Sequence, residues 1–578
     1  MCILIRVRGE ASMTCHRSAR RRIRSAVLFS AFLVAWRSAG PAQGQKEQAP
    51  TAPAQSLAGG DSPTANPAIR VTTRLVQIGV TVHDKNGAVA GLTRDDFTLL
   101  DRGKPQPIDS FSVISSRATA APLVQLPQNT FSDLPRYNPA APGSITIVLL
   151  DNLNTLFGSA PGPYEDSPFW LEDHALANAK AHLLEYLKNL APQERVAIYG
   201  LSNTLHVLCD FTSDRARLLA IVQNYDPRSR TSREIVEPAS THTPVPGEYF
   251  NNSIDAERME MAGNANAARG ATTLAALTAI ANHVANIPGR KNLVWLTANL
   301  PFSADAIAAI LSPAQIAAYP VDGRGLLARN GLKYLREGIE GDDVALNRVG
   351  LEDTPAPTGI DVMLRLAALT GGKAFVNTND LTGAIREALD DATVLYTLGF
   401  YIDVAAADGK FHEVKVEVKR KDLRVRFPNG YFAYQDAPST ESQIHSNWVT
   451  ALRSPIESSA IPVEARILRV DVPAPNMLSI LGTIHVRELR LAEKGTVREG
   501  AVDVTILEQD LTGKVVSQSL NRLILRMAPE QYAAALETGV RFEKHVESKP
   551  DAATLRIVVE DPSSAQVGSL IIPLSQIQ

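Results

Sequence analysis

Apolar residues fall along this chain in two kinds of short run. Between 70 and 114 they alternate with polar neighbours, as at Val76, Ile78, Val80 and Val82, which is the period-two pattern of half-buried strands. Asn86-Gly87 supplies a hairpin turn and Asp101 to Gly103 a second, so 70–114 is predicted to be a small β module. From 144 to about 402 the apolar runs become continuous and alternate with helix-period stretches. "SITIVLL", "RVAIYGL", "LHVLCDF", "KNLVWLT", "IAAYPVD" and "KAFVNT" read as strands of a largely parallel sheet. Helices at 168–190, 213–224, 272–287, 304–316, 359–370 and 380–392 would cover both its faces. The connection between 195–202 and 205–211 is too short for a crossover, which requires an antiparallel hairpin at the sheet edge.

Strand-like segments between 395 and 432 are expected to extend or close this doubly wound, Rossmann-like α/β domain, bounded at 144–432. Residues 115–143 read as a connection and the polar stretch 433–460 as a linker. Short strands separated by turns return at 461–578, the spacing of an all-β sandwich. The chain is thus multidomain, as 578 residues require.

The amino terminus has a different character. Arg17, Arg20, Arg21, Arg22 and Arg24 precede the apolar stretch Ala26 to Trp36, and small residues follow up to "AQG" at 42–44. That order is expected of a signal peptide over 1–44, followed by a Pro/Ala/Gln-rich flexible linker at 45–69. No other apolar run reaches membrane-spanning length, so the mature chain is expected to be exported, periplasmic or extracellular, without a transmembrane segment. Of three cysteines, Cys2 and Cys15 lie in or before the leader, leaving Cys209 without an intrachain partner in an apolar strand.

Charge narrows the partners little. The chain has 58 Lys+Arg and 61 Asp+Glu. The one dense basic stretch, "KVEVKRKDLRVRF", alternates as an exposed strand face does, so no nucleic-acid partner is expected. G-x-S-x-G, H-E-x-x-H and C-x-x-C are absent, and "LTGGKAF" lacks the spacing of a phosphate-binding loop. The chain is therefore read as no enzyme, with a noncontiguous hydrolase site as an alternative.

Candidate chemistry gathers at the carboxyl ends of the parallel strands, where open α/β sheets bind ligands. "SITIVLLDNLNT" ends its buried run on Asp151, followed by Asn152, Asn154 and Thr155. Gly270, Ala271 and Thr272 would bring a second loop to the same rim, with Thr272 opening a helix, and Thr297 to Asn299 a third. Asp151 either binds a ligand there or accepts loop N–H groups or caps the next helix. Two long polar segments, 156–167 and 226–270, flank the rim and are expected to form a recognition surface.

The Asp-ended strand, "GATTL" and "PGRKNLVWLT" together resemble a von Willebrand factor type A (VWA) domain. Residues 70–432 more closely resemble the acidobacterial VWFA-related domain family, through "GLTRDDFTLLDRGKPQPI", "LLDNLNT", "DFTSD", "YPVDGRGL", "LTGGKAF" and "YTLGFY". The resemblance implies a metal-ion-dependent adhesion site for Mg²⁺ or another divalent cation, built from Asp-x-Ser-x-Ser, a second-loop threonine and a third-loop aspartate. Here Asp151, Thr155 and Thr272 match, Leu153 and Ala298 depart, and Asn154 offers an amide oxygen. Asn152 and Asn299 are candidate partner contacts. The implied function is adhesion or binding of an unknown protein ligand at the cell envelope through a degenerate metal site. A structural envelope protein with a vestigial site is the other reading.

Overall fold

The computed structural model describes residues 73–115, 125–134, 137, 145–154, 180–190, 194–225, 252–297, 300, 302–323, 359–376, 378, 380–391, 393–403, 407–433, 439–471 and 476–577. The expected leader at 1–44, the linker at 45–69, Thr155, the segment 156–167, Ala298 and Asn299 lie outside them.

Strands Ile145–Asp151, Lys291–Thr297 and Ile316–Asp322 are buried at every position. Their continuous apolar runs demand cover on both faces. Ile145, Ile147 and Leu149 meet one layer, in which Leu277, Ile280, Ile307, Leu311, Met363 and Leu366 project from three helices. Val148 and Leu150 meet the opposite layer, with Leu183, Leu187, Leu218, Val222 and Ile385. The sheet order is 316–322, 291–297, 145–151, 195–201, 205–212. The first four strands are parallel and the last is the antiparallel edge hairpin.

Helices form at Arg215–Asn224, Asn252–His283, Ala304–Leu311, Gly359–Thr370 and Leu381–Asp390, with residues 180–188 also helical. Some segments differ from the pattern-based reading, among them the helix expected at 304–316, which ends at Leu311. The helix expected to begin at 272 begins twenty residues earlier, at Asn252, so the back half of the expected loop 226–270 is helical. "KAFVNT" contributes a single parallel bridge, Val321 with Phe375, in place of a strand. Gly371 and Gly372 explain how the chain turns into that bridge. Gly371 has φ +73°, and a Cβ on Gly372 would meet the Ala318 carbonyl oxygen at 1.9 Å.

The β module is not confined to 70–114. Strand Thr73–Asp84 pairs antiparallel with Val394–Asp403, which pairs in turn with Ser110–Ser115. Phe97–Asp101 pairs with Phe411–Val418. The strands between 394 and 432 thus join the N-terminal strands instead of extending the parallel sheet. Alternation marked these segments as strands with one buried face, but it carries no information about which partner supplies the other half of the core. That core takes Val76, Ile78, Val80, Phe97 and Leu99 from one side of the sequence, and Tyr396, Leu398, Phe400, Val414 and Val416 from the other. The Tyr396 hydroxyl ties them by donating to the Val89 carbonyl at 2.9 Å and accepting the Leu92 N–H at 3.2 Å.

The C-terminal region packs two antiparallel sheets around one core. One is ordered 540–547, 477–484, 463–470, 130–132. The other is ordered 492–494, 497–509, 554–561, 566–573, with 515–527 pairing on 497–509. Thr130–Ser132, within the expected connection 115–143, is an edge strand of this unit. The expected linker is likewise structured. Glu441–Arg453 is a helix closed by a Thr440/Gln443 capping box. Its Trp448 Nε1 donates to Thr505 Oγ1 at 3.1 Å, and the Ala451 carbonyl accepts from Arg556 at 2.6 Å.

Candidate functional site

Strand Ile145–Asp151 lies at the reversal of strand order. Its neighbour on one side is the next parallel strand in the chain, 195–201, and on the other side a later one, 291–297. A crevice at the carboxyl end of such a strand is where this architecture places ligands. Asp151 closes the strand and is 1% exposed.

Its carboxylate is already well occupied. Oδ1 accepts the Asn154 backbone N–H at 2.9 Å. Oδ2 accepts Asn154 Nδ2 and the indole Nε1–H of Trp295, each at 2.9 Å. Thr297 adds a side-chain hydrogen bond. Burial raises the Asp151 pKa above the ordinary carboxylate value, and the donors from Asn154, Trp295 and Thr297 hold the rise in check. Asp151 therefore pins its own loop, one of the two roles its sequence position permits.

The neighbouring amides complete that loop. The backbone N–H groups of Asn152 and Leu153 both donate to the Leu201 carbonyl, at 2.9 and 3.1 Å. Asn152 Nδ2 donates to the Tyr225 hydroxyl at 2.5 Å. Asn154 Nδ2 also reaches Thr273 Oγ1 at 2.9 Å. The remaining amide oxygens, Asn152 Oδ1 and Asn154 Oδ1, are buried without a hydrogen-bond partner among the described residues. Leu153, at the middle position of the resembled ligand motif, packs into the core.

The threonine turned toward Asp151 is Thr273, and Thr272 is not. Thr272 lies inside the helix Asn252–His283 and donates back to the Ala268 carbonyl at 3.0 Å. Thr273 is fully buried and shares a helical face with Leu277, Ile280 and Val284. Helix spacing explains the difference, because i, i+4, i+7 and i+11 fall on one stripe and the preceding residue points about 100° away. Motif matching missed Trp295, Thr273 and Asp322. The signal for Trp295 was available, since an indole in an otherwise apolar strand needs an acceptor. Asp322 ends strand Ile316–Asp322, fully buried and in register with Thr297.

Mg²⁺ requires near-octahedral oxygen ligands with free lone pairs. At the Asp151 loop the described residues offer one carboxylate engaged by Asn154, Trp295 and Thr297 and two enclosed amide oxygens, while the Asp322 carboxylate closes a strand two places away in the sheet. Among the described residues no three His, Cys, Asp or Glu side chains gather as a metal site. This donor set does not fit a preformed Mg²⁺ centre. A hydroxyl–imidazole contact lies beside the rim, in the turn of the edge hairpin, where Ser202 Oγ is 2.9 Å from His206 Nε2.

No known protein family matches the chain, and no curated protein does. Among solved structures, the conserved hypothetical protein BatB from Bacteroides thetaiotaomicron is similar at 13% identity and TM-score 0.18, over 31% of this chain and 66% of that one. The vWF domain of the type V pili tip protein Mfa5 from Porphyromonas gingivalis is similar at 16% identity and TM-score 0.16, over 27% of this chain and 38% of that one. The SpRpn10 VWA domain is similar at 11% identity and TM-score 0.15, over 31% of this chain and 88% of that one. Two of these three are named as vWF or VWA domains, and at such scores the likenesses carry no argument about this chain. No helix among the described residues is long and apolar enough to cross a membrane.

Proposed function

We propose that this chain is an exported, non-enzymatic binding protein of the acidobacterial VWFA-related kind, which docks a protein partner at the cell envelope. The docking surface is the carboxyl rim of the parallel sheet. One observation carries the reading: among the described residues no donor reaches the enclosed Asn152 and Asn154 amide oxygens at the strand-order reversal. Buried acceptors destabilise a loop until a donor reaches them. A partner's N–H group supplies one, as does a cation coordinated jointly with a partner's carboxylate. Asp151 orders the loop in this reading and Asn152 and Asn154 supply the acceptors, with Asn299 and Thr155, outside the described residues, as the further candidate contacts.

Photocrosslinking tests it. A photoreactive side chain at exposed Thr204, in the hairpin turn beside the rim, is expected to capture a discrete partner in the host envelope. The same group at Leu511, 94% exposed on the C-terminal unit, serves as the control. Crosslinks from position 511 alone would sink the proposal. Titration of the full chain with Mg²⁺, Mn²⁺ and Ca²⁺ separates the two donors. Cation binding weakened in Asn154→Ala assigns the cation route, and its absence assigns direct contact.

The Ser202–His206 contact favours a second reading, in which the rim hydrolyses an ester with Ser202 as nucleophile and His206 as base. Turnover of nitrophenyl esters abolished by Ser202→Ala would establish it. Equal rates in wild type and variant would dismiss it.

A further inference from the structure

A cleft of about 440 Å³ is lined by none of the residues of the Asp151 rim. The hairpin around His83 to Gly87, strand Arg424–Arg426 and the end of helix Leu381–Asp390 form its walls. His83 and Arg424 face each other across the antiparallel pairing of their strands. The lining is strongly polar, with four permanently charged cations against three carboxylates.

Two of the three carboxylates are ion-paired, and the third, Asp84, is engaged by its own turn. Asp84 accepts the Asn86 backbone N–H at 2.6 Å and so stiffens the turn. Glu387 takes Lys373 at 2.6 Å and also Arg426. Asp391, fully buried, accepts from Arg426 at 2.6 Å and from the Tyr319 hydroxyl at 2.5 Å. Its remaining oxygen lies 3.4 Å from His83 Nε2. Once these pairs are made, the Lys85 and Arg424 cations have no carboxylate partner among the described residues. Both are exposed at the cleft mouth.

Two unpaired cations against the single unpaired Asp84 carboxylate leave the cleft mouth net positive over a floor held by ion pairs, which suits an oxyanion. Arg424 offers a planar fork for two oxygens and Lys85 a mobile point charge. The volume falls in the range of small-molecule sites and exceeds what a free ion fills. We propose that this cleft binds the phosphate group of a small phosphate monoester, with Lys85 and Arg424 as its ligands. The site is independent of the protein-docking rim.

Calorimetric titration of the full chain with inorganic phosphate and with glucose 6-phosphate tests the assignment, with glucose as the uncharged control. Saturable binding of both phosphates and none of glucose is expected. Lys85→Ala/Arg424→Ala should weaken it about tenfold or more, since charged hydrogen bonds of this kind are the ones lost. Neither residue has an ion-pair partner among the described residues, so the melting temperature of the variant should match wild type, which separates a binding loss from misfolding. Absence of inorganic phosphate binding at concentrations of about 10 mM, a range weaker than the millimolar scale of weak specific sites, would overturn the proposal. Unchanged affinity in the double variant would do the same.

Discussion

Asp151 has neighbours that a strand-end carboxylate in a metal site would not need. Trp295 and Asn154 aim N–H groups at it, so removing the carboxylate strands buried donors. Asp151→Ala is therefore expected to lower unfolding stability by about 2–4 kcal/mol without any cation present, measured by urea denaturation. A residue that served only a cation would cost nothing under those conditions. Lys291 presents the opposite case. It is 3% exposed, and burial alone lowers its pKa to about 8. The unfolded chain then binds more protons than the folded one between about pH 8 and the ordinary lysine value near 10.4, so stability rises with pH across that window. Lys291→Met is expected to gain roughly 1–3 kcal/mol at pH 7 and to flatten the rise. Sequence could place Asp151 at a strand end because a continuous apolar run stopped there. It could not show what the carboxylate touches, because Trp295 is 144 positions away and only the sheet register joins them.

At the scale of elements, periodicity read the strands of the parallel sheet well because burial on both faces leaves an unmistakable apolar run. The helix Asn252–His283 was harder, since "NANAARGATT" is polar or small and carries no apolar stripe until Leu274. The one-position choice between Thr272 and Thr273 depended on that phase. The same helix ends in a contact with the segment leading to the C-terminal unit. His283 is buried, its Nδ1 2.7 Å from the Glu457 carbonyl and its Nε2 3.4 Å from Asp210. Two acceptors on two ring nitrogens favour the doubly protonated ring. Burial opposes that form, yet the Asp210 and Glu457 contacts raise the His283 pKa overall. Burial also pushes Asp210 up, and His283, the Phe211 N–H and the Tyr199 hydroxyl outweigh it and bring Asp210 to about 2. Asp210 thus stabilises above its unfolded value near 3.9 and loses that contribution as pH falls toward 2. His283 stabilises below about 6.5 and loses its contribution as pH rises through its raised folded value. The Glu457 carboxylate, which accepts the Ile571 N–H, and Arg556 are the other charges facing this contact. The melting temperature is expected to fall as pH rises above about 6.5 and through the raised folded value, and His283→Leu should remove much of that slope. An identical slope in the variant would mean that other groups set it.

For the molecule as a whole, composition and pattern yielded the α/β centre and the C-terminal β unit, but divided the chain at the wrong seams. Alternating strands announce a buried face and stay silent about long-range partners, so 73–115 and 394–432 looked like parts of two domains. The seam at 433–460 was misjudged because its helix is largely polar and owes its place to Trp448 and Ala451 docking on distant strands. A chain lacking residues 73–115 is expected to leave Val394–Asp403 and Phe411–Val418 without their main partners. Its isolated product should aggregate or be cleaved within 394–432 under limited proteolysis. A monomeric, protease-resistant product would instead show that those strands pair elsewhere.

The pairing of Thr73–Asp84 with Val394–Asp403 also fixes an order of events during synthesis. The first strand emerges long before its partner, with 304 positions separating even Leu92 from the tyrosine that holds it. The α/β centre can therefore collapse while the earliest strands wait with an open hydrogen-bonding edge, and ring closure over so long a separation makes the last docking slow. Until Val394–Asp403 is available, that edge lacks its longest partner among the described residues and is open to other strands.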